Sequence, residues 1–223
     1  MKSSLVITGD GSHTLYVPEL EDHYHSTFGA VQESKYIFIE KGFQTFVNRN
    51  ITCNILEVGF GTGLNAFLTL ADCRKRKIRV NYHAVELWPV SLEVSQKLNY
   101  PEYLDIDSAT EIFRTLHKSD WDKEISVDSL FTLKKIIGKI QDIQLPQEKY
   151  HIVFFDAFGP SAQPELWTRE VFRKIFFAMK KGGVFLTFSV KGLVKRNLKE
   201  EGFQIETLPG PVGKRSITRA WRL

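Results

Sequence analysis

The chain has 223 residues, of which 43% are hydrophobic and 25% charged. This balance excludes a wholly disordered protein and supports one large domain. Lys and Arg number 30 against 26 Asp and Glu, so the net charge of +4 permits a nucleic-acid partner without requiring one. The two cysteines predict no disulfide framework, and no His cluster suggests a metal. No apolar run approaches the ~20 residues of a membrane span, so we expect a cytoplasmic protein without membrane or metal partners.

The first 48 residues predict an extension rather than part of a larger sheet. The apolar alternation in Leu5–Ile7 and Thr14–Val17 surrounds the turn sequence Gly9–Ser12, which is typical of a β-hairpin. The aromatic and polar segment 23–43 predicts loop and short helix. We therefore expect a β-hairpin and loop extension over residues 1–48, packed on a domain that covers residues 49–223.

From residue 54 onward, short apolar strands alternate with amphipathic helices. The predicted strands are 54–58, 82–87, 130–137, 151–155 and 184–189, with 203–208 and 216–222 as a closing antiparallel pair. The predicted helices are 64–74, 89–98, 164–179 (ended by Lys181–Gly183) and 192–201, with a helical and loop insertion over 99–129 anchored by Trp121. Since each core strand is apolar along its whole length, we expect an α/β, Rossmann-like fold whose mostly parallel sheet carries helices on both faces.

The most informative run is Glu57–Asn65, EVGFGTGLN, which lies directly between a strand and a helix. Glycines at this place let the backbone turn sharply and approach a ligand closely. A dinucleotide fingerprint would need glycine where Leu64 stands, and the Lys-Ser/Thr of a triphosphate loop is absent. The loop therefore favours a ligand without phosphate.

Two acids refine this interpretation. Glu57 follows the first core strand, where a carboxylate repels phosphate but suits a cation, and Glu86 ends the second, where a carboxylate can accept from ribose hydroxyls. S-adenosyl-L-methionine carries a sulfonium and an ammonium and no phosphate, so the pattern favours a class I methyltransferase. The alternative is that the glycines form tight turns only and that both acids are solvated.

A third acid, Asp156, ends the fourth core strand within FFDAFGPSAQP. Ligands bind beyond the carboxyl ends of parallel strands, and an amine must lose a proton before it attacks a methyl group. Asp156 is thus the candidate catalytic residue that holds an amine and accepts its proton, with a helix cap or a structural hydrogen-bond acceptor as the alternative. Pro160, Pro164 and Trp167 are interpreted as pocket wall, and Trp167 by itself is more typical of a core residue than of a platform for base stacking.

Taken together, DGSHTLYVPELEDHYHSTFGAVQESKYIFIEKGF, EVGFGTGLN, FFDAFGPSAQPELW and KGLVKRNLKEEGF resemble the tRNA 5-aminomethyl-2-thiouridine methyltransferases, the MnmD-like family similar to the methyltransferase half of bifunctional MnmC. The resemblance covers nearly the whole chain and is weakest over 99–149. It implies methyl transfer from S-adenosyl-L-methionine to the exocyclic amine of 5-aminomethyl-2-thiouridine at the tRNA wobble position, giving 5-methylaminomethyl-2-thiouridine. A separate enzyme would supply the aminomethyl group.

The resemblance also implies roles for individual residues. Asp156 would lie beside both cofactor and amine, and the residues 24–33 would lie on the substrate side. The cofactor-contacting residues expected are Glu57, Gly59, Phe60, Gly61, Thr62, Gly63, Asn65, Glu86 and Asp156. Two departures from the family pattern are Gly159, where relatives tend to have Ala, and Lys139, where a related Asp accepts from adenine. Adenine would then be held by backbone or by Asp142.

A tRNA anticodon stem-loop needs cationic contacts to phosphate and aromatic contacts to an unstacked base. The basic residues cluster in the last third of the chain, around a predicted helix and the rigid segment Pro209–Arg215. The expected substrate-binding residues are Tyr24, Ser26, Phe28, Glu33, Phe158, Pro160, Lys191, Lys195, Arg196, Lys214 and Arg215, with Lys199, Arg219 and Arg222 as further cations. The alternative for each cation is solvated surface, and for each aromatic residue, core.

Two other functions remain open at this stage. One is a small-molecule amine methyltransferase or aminopropyltransferase on the same fold, although the GPSAQP run lacks the additional acids expected around such an amine site. The other is a cofactor-sensing or RNA-binding module without catalysis.

Overall fold

A computed structural model describes residues 2–46, 48 and 50–223. The chain forms an eight-stranded sheet with helices on both faces, and a three-stranded antiparallel sheet at the N-terminus. The predicted boundary between residues 48 and 49 adjoins Arg49, which lies outside the described residues. In the part of the chain that is described, no helix combines the length and the apolar character that crossing a bilayer requires.

The large sheet carries five parallel strands at its centre. Its strands are β4 (Cys53–Val58), β5 (Val80–Glu86), β6 (Glu124–Ser126), β7 (Phe131–Ile137), β8 (Tyr150–Phe155), β9 (Met179–Thr187), β10 (Gln204–Pro209) and β11 (Ser216–Arg222). The order is β10-β11-β9-β8-β4-β5-β7-β6, in which β7, β5, β4, β8 and β9 run parallel. β6 and β11 run antiparallel to them, and β10 pairs antiparallel with β11. The predicted mostly parallel sheet and its closing antiparallel pair are confirmed.

Within the described residues, six α-helices accompany these strands. They are α1 (Ala30–Ser34), α2 (Leu64–Arg76), α3 (Leu92–Ser95), α4 (Ala109–Lys118), α5 (Arg169–Ala178) and α6 (Gly192–Glu200). A π-helical turn, Lys35–Glu40, continues α1, and short 3-10 turns occupy Pro18–Leu20, Phe43–Thr45, Tyr100–Tyr103 and Pro164–Leu166.

The core lies on both faces of the sheet because successive residues of a strand point in opposite directions. Phe154 packs with the face that holds α2, α4 and the π-helical turn, and its ring centroid lies 5.2 Å from that of Phe38. The next residue, Phe155, packs with α5 and α6, 4.9 Å from the ring centroid of Trp167. Trp167 is therefore core, as is more typical of this residue by itself, and not pocket wall.

The N-terminal hairpin forms as predicted, with β1 (Ser4–Ile7) antiparallel to β2 (His13–Val17) and a short β3 (Asp22–His23) beyond it. Asp10 in the turn accepts from Ser12 N at 3.0 Å and from Gln32 N at 2.9 Å, which ties the turn to α1. Asn99 accepts from His13 N at 2.9 Å, which ties the hairpin to the sheet domain.

Two predicted helices have different bounds in the structure. The helix predicted over 89–98 is only α3, because the Ser91 side chain caps its first turn by accepting from Val94 N. The helix predicted over 164–179 is divided, because Thr168 caps α5 after the separate turn Pro164–Leu166. Lys181–Gly183 does not precede the next strand but lies within β9, where Gly183 pairs with Arg222.

The insertion over 99–129 contains a 3-10 turn, α4 and the short strand β6. Trp121 anchors it, as predicted: the residue pairs with Lys135 on β7, and its ring lies 6.2 Å from that of Phe60. The insertion thereby covers the segment that follows β4.

Replacing Phe154 with Ala should lower the free energy of unfolding by about 3–5 kcal/mol, because it leaves a cavity between the sheet and the N-terminal segment. Urea denaturation followed by circular dichroism measures this. The matched control is Phe177→Ala, whose side chain is 52% exposed and should cost no more than about 0.5 kcal/mol. Equal losses in the two variants would contradict the described packing.

Candidate active site

A cavity of about 500 Å³ lies at the carboxyl ends of the parallel strands. This volume is within the range of about 300–1,000 Å³ usual for small-molecule sites. Its walls are Val58, Gly59 and Gly61 after β4, Glu86–Trp88 after β5, Gly138–Asp142 after β7 and Asp156–Phe158 after β8, with Tyr24 from the N-terminal extension. The cavity lies at the edge of the sheet where the sequence predicts the site.

The loop after β4 requires its glycines. Gly59, Gly61 and Gly63 have φ values of +93°, +50° and +73°, in the left-handed region that favours glycine. A Cβ atom on Gly59 would lie 2.5 Å from the carbonyl oxygen of Asp156, and one on Gly61 would lie 2.8 Å from the Tyr24 ring. The loop is therefore wedged between the end of β8 and the N-terminal extension.

Glu86 fastens the same loop from the end of β5. Its Oε2 accepts from Gly61 N at 2.8 Å and its Oε1 from Trp88 N at 2.7 Å. Burial raises the pKa of Glu86, and these backbone hydrogen bonds oppose that rise. The carboxylate lies in the cavity wall, as the sequence predicts for a ribose contact.

Behind the loop, two histidines hold Thr62. The Nε2 atom of His25 lies 2.6 Å from Thr62 Oγ1, and His117 Nε2 donates to the Thr62 carbonyl at 3.0 Å. Burial lowers the pKa of His25 to about 3 and that of His117 to about 4, so both rings are neutral at physiological pH. Neither histidine was named as an expected contact residue, although His25 lies in the segment 24–33 that was expected on the substrate side. Their contacts with the loop are formed only by tertiary folding.

Several predicted cofactor residues support the loop instead of lining the cavity. The ring of Phe60 is buried, 5.6 Å from the ring of His117, and Thr62 and Gly63 lie on the same inner side. Gly63 immediately precedes α2. Direct cofactor contact by these three residues stays a prediction.

Asn65 joins the first core strand to the fourth. Its Nδ2 donates to Glu57 Oε1 at 2.9 Å and to Asp156 Oδ2 at 2.8 Å. Glu57 is fully buried, and its burial, aided by the negative charge of Asp156, raises its pKa well above the usual value. The sequence analysis interpreted Glu57 as a carboxylate that faces a cation. In the structure, Glu57 instead lies buried and accepts a hydrogen bond from Asn65, which is a supporting role that this interpretation did not include.

Asp156 lies where two openings meet. It lines the large cavity and also a second cleft of about 250 Å³, which contains Tyr24, Phe158, Glu33 and Lys214. Burial, with the nearby negative charge of Glu33, raises the pKa of Asp156 to about 7, although Asn65 and Lys214 act in the opposite direction. A carboxyl group with this pKa exchanges a proton readily at neutral pH.

The second cleft brings together the predicted residues of segment 24–33. Tyr24 and Phe158 meet edge to face at a centroid distance of 4.8 Å, Ser26 N donates to Glu33 Oε2 at 2.9 Å, and Phe28 is 56% exposed at the cleft. Pro160 follows the Phe158–Gly159 wall but does not itself line either opening.

The predicted cations divide into two groups. Lys214 is in the cleft, Lys191 donates to Ser161, Lys195 Nζ donates to Thr207 Oγ1 at 2.8 Å, and Arg196, Lys199 and Arg215 are exposed. Arg219 instead pairs with Glu206 at 2.9 Å, and the buried Arg222 pairs with Glu148 at 2.8 Å. The prediction that Arg219 and Arg222 contact phosphate is wrong, because both guanidinium groups bind carboxylates within the fold.

The cavity wall after β7 contains Lys139, at the position where related proteins have an Asp that accepts from adenine. Lys139 lines the large cavity together with Asp142, which supplies a carboxylate three residues later. Among residues 2–46, 48 and 50–223, no group of three or more His, Cys, Asp or Glu side chains forms a metal site.

Replacing Asp156 with Asn should stabilise the protein increasingly as pH rises from about 4 to about 7. The folded state holds the carboxyl pKa at about 7 against 3.8 in the unfolded chain, so the wild type loses stability across this window and the amide does not. We expect the variant's Tm to exceed the wild-type Tm by about 3–6 °C at pH 8 and by less at pH 5, by scanning calorimetry. The exposed Asp107 provides the control, Asp107→Asn; a Tm difference for Asp156→Asn that is the same at both pH values would contradict the raised pKa.

The sequence of this chain is similar to those of known proteins. Residues 108–223, just over half of the chain, match the sequence model of a family described as S-adenosyl-L-methionine-dependent methyltransferase. The tRNA 5-methylaminomethyl-2-thiouridine biosynthesis bifunctional protein MnmC of Leptospira interrogans is 28% identical over 95% of this chain and 34% of its own length. MnmC of Burkholderia multivorans is 28% identical over 96% of this chain and 34% of its own length. The chain thus spans about a third of these relatives.

Solved structures show the same architecture. MnmC2 from Aquifex aeolicus has a TM-score of 0.80 and 25% identity, covering all of this chain and 70% of that one. Spermidine synthase from Thermotoga maritima shares the fold, with a TM-score of 0.55 and 14% identity, covering all of this chain and 72% of that one. With the family match and the glycine loop between β4 and α2, the chain belongs to the S-adenosyl-L-methionine-dependent methyltransferase family.

Proposed function

We propose that the protein methylates the exocyclic amine of 5-aminomethyl-2-thiouridine at the wobble position of tRNA, giving 5-methylaminomethyl-2-thiouridine. The observation that carries this proposal is the position of Asp156, which lines both the large cavity and the second cleft. The substrate is suggested by the names of the MnmC relatives, which align with nearly all of this chain.

The large cavity fits S-adenosyl-L-methionine. Gly59 and Gly61 let the loop at the cavity wall pack against Asp156 and Tyr24, where a Cβ atom would clash, and Glu86 lies in the wall as an acceptor for ribose hydroxyls. Trp88, 37% exposed, presents a ring beside Glu86, and Asp142 presents a carboxylate on the wall after β7. These residues would hold the cofactor.

Proton removal falls to Asp156. When bound, S-adenosyl-L-methionine would supply a methyl carbon on a positively charged sulfur: the amine nitrogen would bond to this carbon as the carbon–sulfur bond breaks, and the electron pair would stay on sulfur, which leaves as the neutral thioether S-adenosylhomocysteine. The substrate amine reaches the cleft as an ammonium and must become neutral to act as a nucleophile. A carboxylate with a pKa of about 7, held in place by Asn65, accepts that proton directly or through water.

The second cleft fits the substrate side of this reaction. A wobble base must leave its stack to reach an enzyme pocket, and aromatic faces stabilise an unstacked base. Tyr24 and Phe158 line the cleft, and the exposed Phe28 lies at the same opening. Lys191, Arg196 and Arg215 are exposed cations available to the phosphates of the anticodon stem-loop.

The proposal also includes the source of the substrate amine and the cellular compartment. A separate enzyme supplies the aminomethyl group, because this reaction consumes a preformed primary amine. Both cysteines are buried free thiols, as a reducing cytoplasm would leave them.

Gly61→Val should weaken S-adenosyl-L-methionine binding at least tenfold, or about 1.4 kcal/mol, because the new side chain enters the space between the loop and Tyr24. Isothermal titration calorimetry measures the Kd. Gly182→Val is the matched control, since Gly182 has a similar φ of +75° and a Cβ atom added there would have no heavy atom within 4 Å. An unchanged Kd for Gly61→Val would show that this loop does not cradle the cofactor.

Asp156→Asn should lower kcat about 10²-fold or more with tRNA from cells lacking this protein, while the Kd for S-adenosyl-L-methionine changes much less. For the wild type, kcat should rise about tenfold between pH 6 and pH 8, as Asp156 deprotonates through a pKa of about 7. Transfer of labelled methyl to tRNA, with nucleoside analysis of the product, gives both values.

The same assay separates the alternatives. Label that enters free amines and not tRNA, or transfer that spermidine suppresses by competition, would favour a small-molecule amine enzyme. S-adenosyl-L-methionine binding that survives Asp156→Ala, with no turnover by the parent protein, would favour a module without catalysis.

A further inference from the structure

A lysine ammonium occupies the second cleft. Lys214 lies on the segment between β10 and β11, and its Nζ is 2.5 Å from Glu33 Oε1 and 5.2 Å from the centroid of the Phe188 ring. The Lys214 side chain is 28% exposed, whereas that of Glu33 is 9% exposed. A primary ammonium on a methylene carbon is thus already held between a carboxylate and an aromatic face.

Glu33 is positioned as a binding carboxylate. It lies on α1, and its Oε2 accepts from Ser26 N at 2.9 Å, which fixes the orientation of the group. Its Oε1 approaches Lys214 without a hydrogen bond of good alignment. One oxygen is therefore committed to the fold, and the other faces an exchangeable cation.

The charges of this pair extend to Asp156. The negative charge of Glu33 raises the pKa of Asp156, and the positive charge of Lys214 lowers it. All three residues line the same cleft, whose walls carry three acidic side chains (Asp22, Glu33 and Asp156) and one ammonium. A substrate ammonium that displaces the Lys214 ammonium would leave the net charge of the cleft unchanged.

We propose that Lys214 Nζ occupies, in the free protein, the subsite that receives the aminomethyl ammonium of the substrate, and that Glu33 Oε1 binds this ammonium once Lys214 has left. This inference rests on the function proposed above and adds the group that receives the amine before Asp156 takes its proton.

The mobility of lysine makes the exchange feasible. Its ammonium is a compact, strongly hydrated charge on a flexible four-carbon stem, so it can return to water at small cost. Arg215, the next residue along the chain after Lys214, is exposed, and the phosphates of a bound stem-loop would also accept a released cation. The methylene-linked ammonium of the substrate takes its place against Glu33.

The test measures nucleoside binding, which avoids any phosphate contact of Lys214. The probes are 5-aminomethyl-2-thiouridine and its neutral analogue 5-hydroxymethyl-2-thiouridine, titrated by NMR into protein saturated with S-adenosylhomocysteine. Removing an internal competitor increases the fraction of binding-competent sites. Lys214→Met should therefore bind the aminomethyl nucleoside about fivefold more tightly and leave binding of the hydroxymethyl nucleoside unchanged within about twofold.

Glu33→Gln keeps the acceptor for Ser26 N but removes the charge. It should bind the aminomethyl nucleoside about tenfold more weakly, and adding Lys214→Met to it should give no gain. The matched control is Lys181→Met, which removes an exposed lysine at the opposite end of the sheet and should match the wild type. An unchanged Kd for S-adenosylhomocysteine in every variant verifies that the proteins are folded.

Weaker or unchanged binding of the aminomethyl nucleoside by Lys214→Met would overturn the inference and make Lys214 a structural or substrate-contacting residue. The proposed function would survive that result if the wild type still methylates tRNA. A wild type that neither binds the aminomethyl nucleoside nor methylates tRNA would overturn both. A crystal structure with the nucleoside bound and Lys214 Nζ still paired with Glu33 would overturn the inference alone.

Discussion

The site depends on the amide of Asn65, which donates to Glu57 and to Asp156 with one nitrogen. This pair of hydrogen bonds joins the ends of β4 and β8, the two strands between which ligands bind in open parallel sheets. Without a donor between them, two buried carboxyl groups would repel each other in a medium that screens charge poorly. Asn65 thus lets an acid with a near-neutral pKa remain at the edge of a cofactor cavity.

The second constraint is steric. Gly59 brings the loop after β4 against the backbone of Asp156, and Gly61 brings it against Tyr24. The same loop is held from behind by His25 and His117 through Thr62. Contacts from the N-terminal extension, from the end of β8 and from the insertion therefore meet on this loop, and the large cavity and the second cleft lie side by side.

Much of this arrangement was predictable from local patterns. The apolar strands, the turn at Gly9–Ser12 and the glycine loop carry their signals within a few residues, because periodicity and backbone freedom are local properties. Helix bounds were less predictable, since the caps Ser91 and Thr168 compete with stronger apolar patterns nearby.

The fate of individual charges was not predictable from position in the sequence. Arg222 and Arg215 are equally basic in the sequence, yet one is buried against Glu148 and the other is exposed. Glu57 stands beside the glycine loop in sequence but lies beneath it in the fold. Such differences arise from contacts between residues far apart in the chain, such as Glu33 with Lys214, which no local pattern records.

The position of Tyr24 has a consequence for how the extension relates to the rest of the molecule. Its ring touches the glycine loop at Gly61 and the wall of the second cleft at Phe158, so one side chain forms part of both openings. The segment that carries it cannot be exchanged between homologues as an independent recognition module. Any graft that alters substrate choice through this segment also reshapes the wall against which the methyl donor is held.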